Sequence, residues 1–286
     1  MNPYEASQAN PKLEAIKPAP SMYPAIASLA WREWVRFVRQ PNRVIGALGQ
    51  PILFWLLFGS GFGSTLRMPG ATENVDYAEY YFPGTLVLIL LFTAIFATIS
   101  IIEDRREGFL QGVLTSPSPP LAMVLGKLVG GTLIAVAQAS VFLLLGALTR
   151  VNLPWTGVLL TIPALFVLGL ALTAIGFTMA WRLDSTQGFH ALMSVFLLPM
   201  WLLSGAFFPA GDNWVGWIVR LNPLTYGVAL VRHLLYWGAN EETLRRALPA
   251  DLPALGLSIG VTAAFVVGTC GLAWFTAGRR SAGDLL

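Results

Sequence analysis

The sequence predicts an all-α, polytopic membrane protein built as a six-helix transmembrane bundle, and three observations lead to this fold class. Hydrophobic residues make up 55% of the chain and charged residues only 12%, about half the charged share of a soluble domain. The mean hydropathy is +0.64. Several apolar runs reach the roughly 20 residues that a spanning helix needs, and the alternating pattern typical of barrel strands does not occur.

The chain begins with two segments that precede the apolar runs. Residues 1–20 are polar and rich in proline, which predicts a disordered N-terminal tail. In residues 21–41, Ile26, Leu29 and Trp34 recur at helical spacing while arginines occupy other faces. A basic amphipathic helix with Trp on its apolar side is typical of the membrane interface. An ordinary soluble helix is the alternative.

Residues 42–286 form the predicted transmembrane domain. Glycines recur at four-residue intervals in several of its apolar segments, as in Gly126 and Gly130, and such pairs allow helices to pack closely. Pro83 suits the first turn of the second segment. The six predicted spans are about 44–64, 81–102, 121–148, 157–181, 189–208 and 255–277.

The densest run of charge begins at Glu103, between the second and third predicted spans. Glu103 and Glu107 share a helix face at i,i+4, and acidic residues suit the start of a helix. Leu110 and Leu114 add an apolar stripe, and Pro117 prevents the helix from continuing into the next span. The charges alone fit a solvated loop, whereas charges combined with an apolar stripe fit a helix that docks on another protein.

The segment between the fifth and sixth predicted spans, residues 209–253, is longer than an ordinary loop. Trp214 and Trp217 belong to one short apolar group, and a second helical run starts at Asn222 and Pro223. Both groups are too short to span a membrane, and their aromatic residues are typical of interfacial elements. We expect short external helices that dip into the outer leaflet. A compact external loop with its own small core is the alternative.

Lys and Arg near the ends of the spans predict the orientation. With the N-terminus inside, most of them fall on the cytoplasmic side, and few fall in the short external loops. The sequence therefore predicts a multi-pass protein of the cell (inner) membrane with both termini cytoplasmic. The cytoplasmic set is Arg32, Arg36, Arg39, Arg43, Arg105, Arg106, Lys127, Arg182, Arg279 and Arg280. The short external loops hold Arg67 and Arg150, and the long external segment, which counts less in this rule, holds Arg220, Arg232, Arg245 and Arg246.

The sequence lacks the motifs that known classes of enzyme use for catalysis. There is no Walker-type loop for ATP, and neither His190 nor His233 begins a metal-ligand spacing. Ser204 lies in a predicted span without an obvious base, and we expect no catalytic and no metal site. The spans are nearly free of ionisable residues, which disfavours an ion-coupled carrier. Gln138 is the one strongly polar side chain clearly within a span, and we expect it to hydrogen-bond between helices.

Four parts of the sequence resemble the type-2 ABC transporter permease family. The stretch from Glu103 to Pro117, with Lys127 after it, is similar to that family's coupling-helix region. The motif around Leu203-Ser204-Gly205 and the motif Asn222-Pro223-Leu224-Thr225-Tyr226 resemble its fifth helix and external re-entrant helices. Residues 21–41 resemble its interfacial connecting helix. The resemblance covers nearly the whole chain in the expected order.

The resemblance implies the transmembrane permease subunit of an ABC exporter. Such a permease pairs with itself or with a homologous permease, and with two copies of a separate ATP-binding subunit. ATP and magnesium would bind that subunit, and this chain would bind no cofactor and no nucleic acid. Membrane lipid surrounds the spans. An amphipathic or hydrophobic cargo, such as a drug, a lipid or a lipid-linked glycan, would move outward between copies of helices one, two and five.

The family's functional residues are carried over by position. The ATPase-coupling residues are expected to be Glu103, Asp104, Arg105, Arg106, Glu107, Leu110 and Leu114. The external re-entrant region is represented by Asn222, Pro223, Tyr226 and Arg232. Aromatic residues available to a substrate path are Phe54, Phe58, Phe96, Phe196 and Trp201. A membrane scaffold or regulatory subunit without its own transport path is the alternative function.

Overall fold

A computed structural model of the protein describes residues 21–62, 77–114, 119–148, 153–207, 211, 213–249 and 251–278. The predicted tail, residues 1–20, lies outside this part, as do Arg67, Pro117, Arg150, Arg279 and Arg280. The described residues form the helices α1 (Met22–Val38), α2 (Pro41–Phe62), α3 (Tyr77–Arg106), α4 (Phe109–Leu114), α5 (Pro120–Leu148), α6 (Trp155–Arg182), α7 (Thr186–Trp201), α8 (Trp214–Leu221), α9 (Pro223–Leu235), α10 (Glu241–Ala247) and α11 (Leu255–Gly278).

Six of these helices are long and apolar enough to cross a membrane, which confirms the predicted all-α class and the number of candidate spans. They are α2, α3, α5, α6, α7 with the turn that follows it, and α11. Within the described ranges every regular element is helical.

Helix α3 is the centre of the bundle. In its most apolar stretch 89% of the residues are buried, against 11% in α2 and 17% in α11. It packs on α2, α5 and α6 and also contacts α7 and α9. The apolar side chains of α2 and α11 are therefore left on the surface of the single chain, where lipid or another protein covers them in a membrane.

Helix α1 lies against α5, and two glycines of α5 make the contact close. A Cβ at Gly126 would lie 2.7 Å from the Leu29 Cβ, and a Cβ at Gly130 would lie 3.0 Å from the Ala30 Cα. Only glycine allows the two helix backbones to approach this far. The Gly126/Gly130 pair seen in the sequence thus positions α1 on the bundle.

We expect Gly126→Ala to loosen the contact between α1 and α5. The new methyl group overlaps Leu29, so the free energy of unfolding should fall by about 1–3 kcal/mol, measured by thermal unfolding of the purified protein. Gly256→Ala is the matched control, because a Cβ at Gly256 meets nothing within 4 Å. Equal stabilities of the two variants would contradict this account of the contact.

The chain leaves α7 through a π-helical turn, Leu202–Ala206, and then forms the short helices α8, α9 and α10 before α11. Gly205 in this turn has a φ of 71°, a conformation that favours glycine. Helix α9 packs on α6 and α11. The close contact with α6 occurs at Gly157, where a Cβ would lie only 2.0 Å from the Leu235 carbonyl oxygen.

Candidate functional site

The charged stretch of the sequence forms the last turn of α3, a sharp bend and the short helix α4. Helix α3 continues to Arg106, whereas the sequence pattern ends the span at residue 102. The bend is at Gly108, with a φ of 74°. The helix extends further than predicted because Glu103 and Asp104 form ion pairs with other helices of the chain. Their charges are therefore compatible with a continuous α3.

Asp104 is the most buried of these charged residues, with 0% of the residue exposed. Arg32 donates two hydrogen bonds to its carboxylate, at 3.0 and 2.7 Å, and Arg36 donates a third at 2.6 Å. Lys127 donates a fourth. A buried carboxylate is tolerated when its charge and its lone pairs are satisfied in this way. Burial lowers the pKa of Arg32, but the hydrogen bonds to Asp104 and the negative charges of Asp104, Glu33 and Glu107 outweigh burial and raise it.

Lys127 lies in the apolar helix α5, and its ammonium group is buried together with Asp104. It donates to Glu33 Oε1 at 2.6 Å and to Ser100 Oγ at 3.2 Å. Glu33 is itself 4% exposed. The spans are predicted to be nearly free of ionisable residues, but α3 and α5 bury an aspartate and a lysine that form an ion pair.

Glu103 extends the same network to α2. Its carboxylate accepts from Arg36 Nη2 at 2.8 Å and from Arg43, which lies in the first turn of α2. We call the whole set the buried ion cluster, with Glu107 at its rim, 3.6 Å from Arg36. Four cations and four acids balance, and the cluster connects α1, α2, α3 and α5. Its members are Arg32, Glu33, Arg36, Arg43, Glu103, Asp104, Glu107 and Lys127.

Arg105 and Arg106 face the other way, toward the end of α6. Arg105 donates to the Trp181 carbonyl at 2.5 Å and to Asp184 Oδ1 at 2.9 Å. Arg106 donates to the Asp184 carbonyl through Nε at 3.1 Å and Nη2 at 2.6 Å. Arginines satisfy carbonyl groups that a helix end leaves without intrahelical partners. The end of α3 is thereby hydrogen-bonded to the end of α6.

An apolar groove of about 350 Å³ lies beside the buried ion cluster, between α1, α4 and α5. The guanidinium of Arg32 covers the Phe109 ring, with Cζ 3.7 Å from the ring centre. Leu110 is buried in the chain's own core, whereas Arg106 and Glu107 are exposed. The side chain of Leu114 lies outside the described part. The groove is lined mainly by Ala25, Leu29, Phe109, Val113, Pro120 and Met123.

Gln138 has the interhelical role that the sequence predicts. Its Oε1 accepts from Thr93 Oγ1 at 2.5 Å, and its Nε2 donates to the Val44 carbonyl at 3.2 Å. The side chain thus connects α5 to both α3 and α2.

The opposite end of the bundle is an aromatic end, defined by Phe58, Tyr77, Tyr81, Trp201 and Phe207. The Phe207 ring lies 5.0 Å from Phe58, 5.2 Å from Tyr81 and 6.2 Å from Trp201 in edge-on arrangements. Tyr77 donates to the Phe207 carbonyl at 3.0 Å. These contacts fix the π-helical turn after α7 against the start of α3.

Asn222 connects the π-helical turn with the start of α9. Its Nδ2 donates to the Met200 carbonyl at 2.5 Å and the Leu203 carbonyl at 2.9 Å, while its Oδ1 accepts from the Leu224 N–H at 3.0 Å. Pro223 occupies the first helical position, which suits proline. Tyr226 donates to the Arg220 carbonyl at 2.9 Å and so holds α8 beside α9.

The aromatic residues proposed for a substrate path do not form a single surface. Phe58 and Trp201 share the aromatic end, and Phe54 lies 5.6 Å from Phe58. Phe96 lies elsewhere, 5.9 Å from the ring of His190, and Phe196 is 56% exposed on α7. Trp201 is buried and donates its Nε1–H to the Gly84 carbonyl at 2.9 Å, which gives it a packing role within the chain.

The pairing of Glu33 with Lys127 is not predicted by the sequence pattern. Each residue differs in charge from its neighbours in the sequence. Glu33 is an acid on an otherwise basic helix, and Lys127 is a cation near the start of an apolar helix. An isolated charge of each sign is the signal by which the pair could have been suspected.

Comparisons with known proteins give consistent results. Residues 24–236 match the family model described as ABC-2 type transporter. The ycf38 protein of Cyanophora paradoxa, which carries the name of a transport permease, is 26% identical over 210 residues, or 72% of each chain. The daunorubicin resistance ABC transporter permease protein DrrB1 of Streptomyces coeruleorubidus is 23% identical over 72% of this chain and 73% of its own. Nodulation protein J of Rhizobium leguminosarum bv. trifolii is 25% identical over 67% of this chain and 73% of its own.

Proposed function

The chain belongs to the ABC-2 type transporter family, and from this premise we propose that it is the permease subunit of an exporter that moves an amphipathic or hydrophobic substrate outward. Six apolar helices and the family make it a multi-pass membrane protein. The family implies an ABC ATP-binding partner and a dimeric arrangement. We propose two copies of that partner, which bind the ATP and magnesium, and a permease homodimer or heterodimer in the cell (inner) membrane.

The observation that carries the proposal is the buried ion cluster below an exposed pair of charges. Arg106 and Glu107 are exposed at the bend after α3, while the residues directly beneath them are fixed to α1, α2, α5 and α6. A force applied at this bend therefore reaches four other helices through charge-assisted hydrogen bonds. A coupling element needs this rigidity, because a flexible loop would absorb the displacement.

We place the ATP-binding subunit on this charged end, with both termini of the chain on the same, cytoplasmic, side. The apolar groove between α1, α4 and α5 offers space for apolar side chains of that partner, and Arg106 and Glu107 supply a charged rim. An apolar centre with a charged rim is the usual composition of a transient protein interface. Of the predicted coupling residues, the exposed Arg106 and Glu107 are the ones we expect to touch the partner, and Glu103 and Asp104 act behind them.

We propose that the cargo passes between two permease copies along α2 and α7. Large apolar side chains on the surfaces of these two helices are exposed in the single chain, and a second copy or the cargo would cover them. The names of two relatives refer to drug resistance and to nodulation, which supports an organic cargo. The exposed apolar residues are Leu53, Leu56 and Leu57 on α2 and Val195, Phe196 and Leu198 on α7.

Reconstitution tests the function directly. The full chain and its ATP-binding subunit are placed together in proteoliposomes, and ATP hydrolysis and the movement of a fluorescent amphipathic compound are measured. We expect ATP hydrolysis only when the ATP-binding subunit is present, and export only when both proteins are present. Hydrolysis that never moves any compound from a broad panel would instead indicate a scaffold or regulatory subunit.

We expect Glu107→Lys to weaken the complex with the ATP-binding subunit by about tenfold or more, because a reversed charge at a docking rim meets like charge on the partner. Co-purification at increasing salt and ATP-driven transport both measure this effect. Glu241→Lys is the matched control, since Glu241 is exposed on α10, far along the chain from the bend. A Glu107→Lys variant that binds and transports like the control would contradict the docking assignment.

A further inference from the structure

Arg232 carries a charge that is completely buried near the aromatic end of the bundle. The residue is 1% exposed. Its Nη2 donates to the Tyr80 carbonyl at 3.1 Å, and its Cζ lies 4.2 Å from the centre of the Tyr80 ring. Its Nε finds no acceptor, and no carboxylate among the described residues lies within 4.0 Å of the guanidinium.

The contrast with the buried ion cluster shows how unusual this arrangement is. There, every buried cation has a carboxylate in direct contact, as Lys127 has with Glu33 and Asp104. Arg232 has one carbonyl and one aromatic face, which are weaker partners for a buried cation than a carboxylate. A buried charge of this kind is stable only when a further polar or anionic group neutralises it.

A cavity of about 40 Å³ lies beside Arg232. A cavity needs about 10–15 Å³ to hold one water molecule, so this one has room for a small ion or for the end of a larger anionic group. Arg220 and Asp251 at its edge are exposed, which connects it with the surface of the chain. We call it the Arg232 cavity, and its polar lining is Tyr80, Ser204, Arg220, Thr225, Arg232 and Asp251.

The polar groups of this lining favour an anion. The hydroxyl groups of Tyr80, Ser204 and Thr225 already donate to carbonyl groups of the chain, at 3.1, 2.5 and 2.5 Å. The guanidinium of Arg232, whose Nε–H has no acceptor in the chain, is therefore the donor group that a guest would meet. Two arginines and one aspartate give the lining a net positive formal charge.

We propose that the Arg232 cavity binds a small anionic group, held by the guanidinium of Arg232 through charge-assisted hydrogen bonding. Asp251 lies more than 4.0 Å from the guanidinium of Arg232, so the two do not form a direct ion pair. Because Asp251 is exposed, solvent also screens its electrostatic attraction to Arg232. The anionic group comes either from a free ion in solution or from the headgroup of an anionic lipid. Both sources offer the same chemistry to the guanidinium, so the experiment separates them.

The test measures thermal unfolding of the full chain in nanodiscs of uncharged phosphatidylcholine. At constant ionic strength, sodium gluconate is replaced stepwise by sodium chloride. We expect a saturable rise in Tm of about 2–4 °C, because a ligand that binds only the folded state stabilises it. In a second series the solution contains only gluconate and phosphatidylglycerol replaces part of the phosphatidylcholine; a rise there identifies the lipid headgroup as the source.

Arg232→Met should remove the response to chloride and to phosphatidylglycerol. In gluconate its Tm should equal or exceed that of the wild type, because the variant no longer buries an unpaired charge. Arg182→Gln is the control that should keep the response, because Arg182 is exposed at the end of α6 and does not line the cavity. Anomalous scattering from bromide in crystals of the wild type, expected beside the guanidinium of Arg232, keeps the proposal testable if Arg232→Met does not fold.

Two results would overturn the proposal. One is a wild-type Tm that is the same in gluconate and chloride and is also unaffected by phosphatidylglycerol. The other is an Arg232→Met variant that still shows the full response, which would mean that the anion binds elsewhere.

Discussion

Asp104→Asn should lower the free energy of unfolding by about 3–5 kcal/mol, because it removes the charge that neutralises buried cations around it. Asparagine keeps the shape of the side chain, but its amide nitrogen cannot accept from Arg32 or Lys127, which both donate to Asp104 in the native chain. For a chain of this size the loss corresponds to a fall in Tm of about 10 °C. Thermal unfolding of the purified protein measures it.

Glu107→Gln is the matched control for Asp104→Asn. Glu107 also contacts an arginine, but at 3.6 Å and with 61% of its side chain exposed, and exposed ion pairs contribute little to stability. The double variant Asp104→Asn with Lys127→Met should lose less stability than the sum of the two single variants, since each single change leaves a buried charge behind. Additive losses would show that the two residues do not act as a pair.

Asn222→Ala should lower the free energy of unfolding by about 3 kcal/mol. The change removes the cap of α9, worth about 1 kcal/mol, and leaves the Met200 and Leu203 carbonyl groups without the donor that they have in the native chain. Asn222→Ser should restore only part of the loss, because serine can accept from the Leu224 N–H but cannot reach both carbonyl groups. Denaturant unfolding measures the series.

Asn240→Ala is the control that measures the loss of a helix cap alone, without the hydrogen bonds that Asn222 makes to the π-helical turn. Asn240 caps α10 by accepting from the Thr243 N–H at 2.9 Å, and it is exposed. Its replacement should cost about 1 kcal/mol or less. If Asn222→Ala cost no more than Asn240→Ala, or if Asn222→Ser restored full stability, the role of Asn222 as a bridge to the π-helical turn would be wrong.

The helix content and the number of candidate spans could be predicted because both depend on local composition. An apolar run of sufficient length requires a helix in a membrane, wherever that helix lies in the bundle. The interhelical role of Gln138 followed from the same local reasoning. The end of α3 was harder to predict, because the break occurs at Gly108 and not at the first charged residue, Glu103.

The charge pairing could not be predicted, because its partners lie far apart in the sequence. Arg36 and Glu103 are separated by 67 positions, and Lys127 and Glu33 by 94. Periodicity shows which residues share a face of one helix, but it does not show which faces of two distant helices meet. For this reason a run of charges that suggests an exposed docking element in the sequence is mostly an internal network in the structure. The coupling role of that stretch remains a prediction.

The buried ion cluster also sets an order for the biogenesis of the protein. The ribosome completes α1 and α3 before α5, so Arg32 and Arg36 can pair with Asp104 while Lys127 is still to be synthesised. In the folded chain Glu33 has Arg32 at 3.4 Å and Lys127 at 2.6 Å as its partners, so before α5 is made the shorter of these two contacts cannot form. Membrane insertion of α5 is therefore the step that neutralises this end of the chain, and a nascent chain that stops before α5 leaves it incompletely paired.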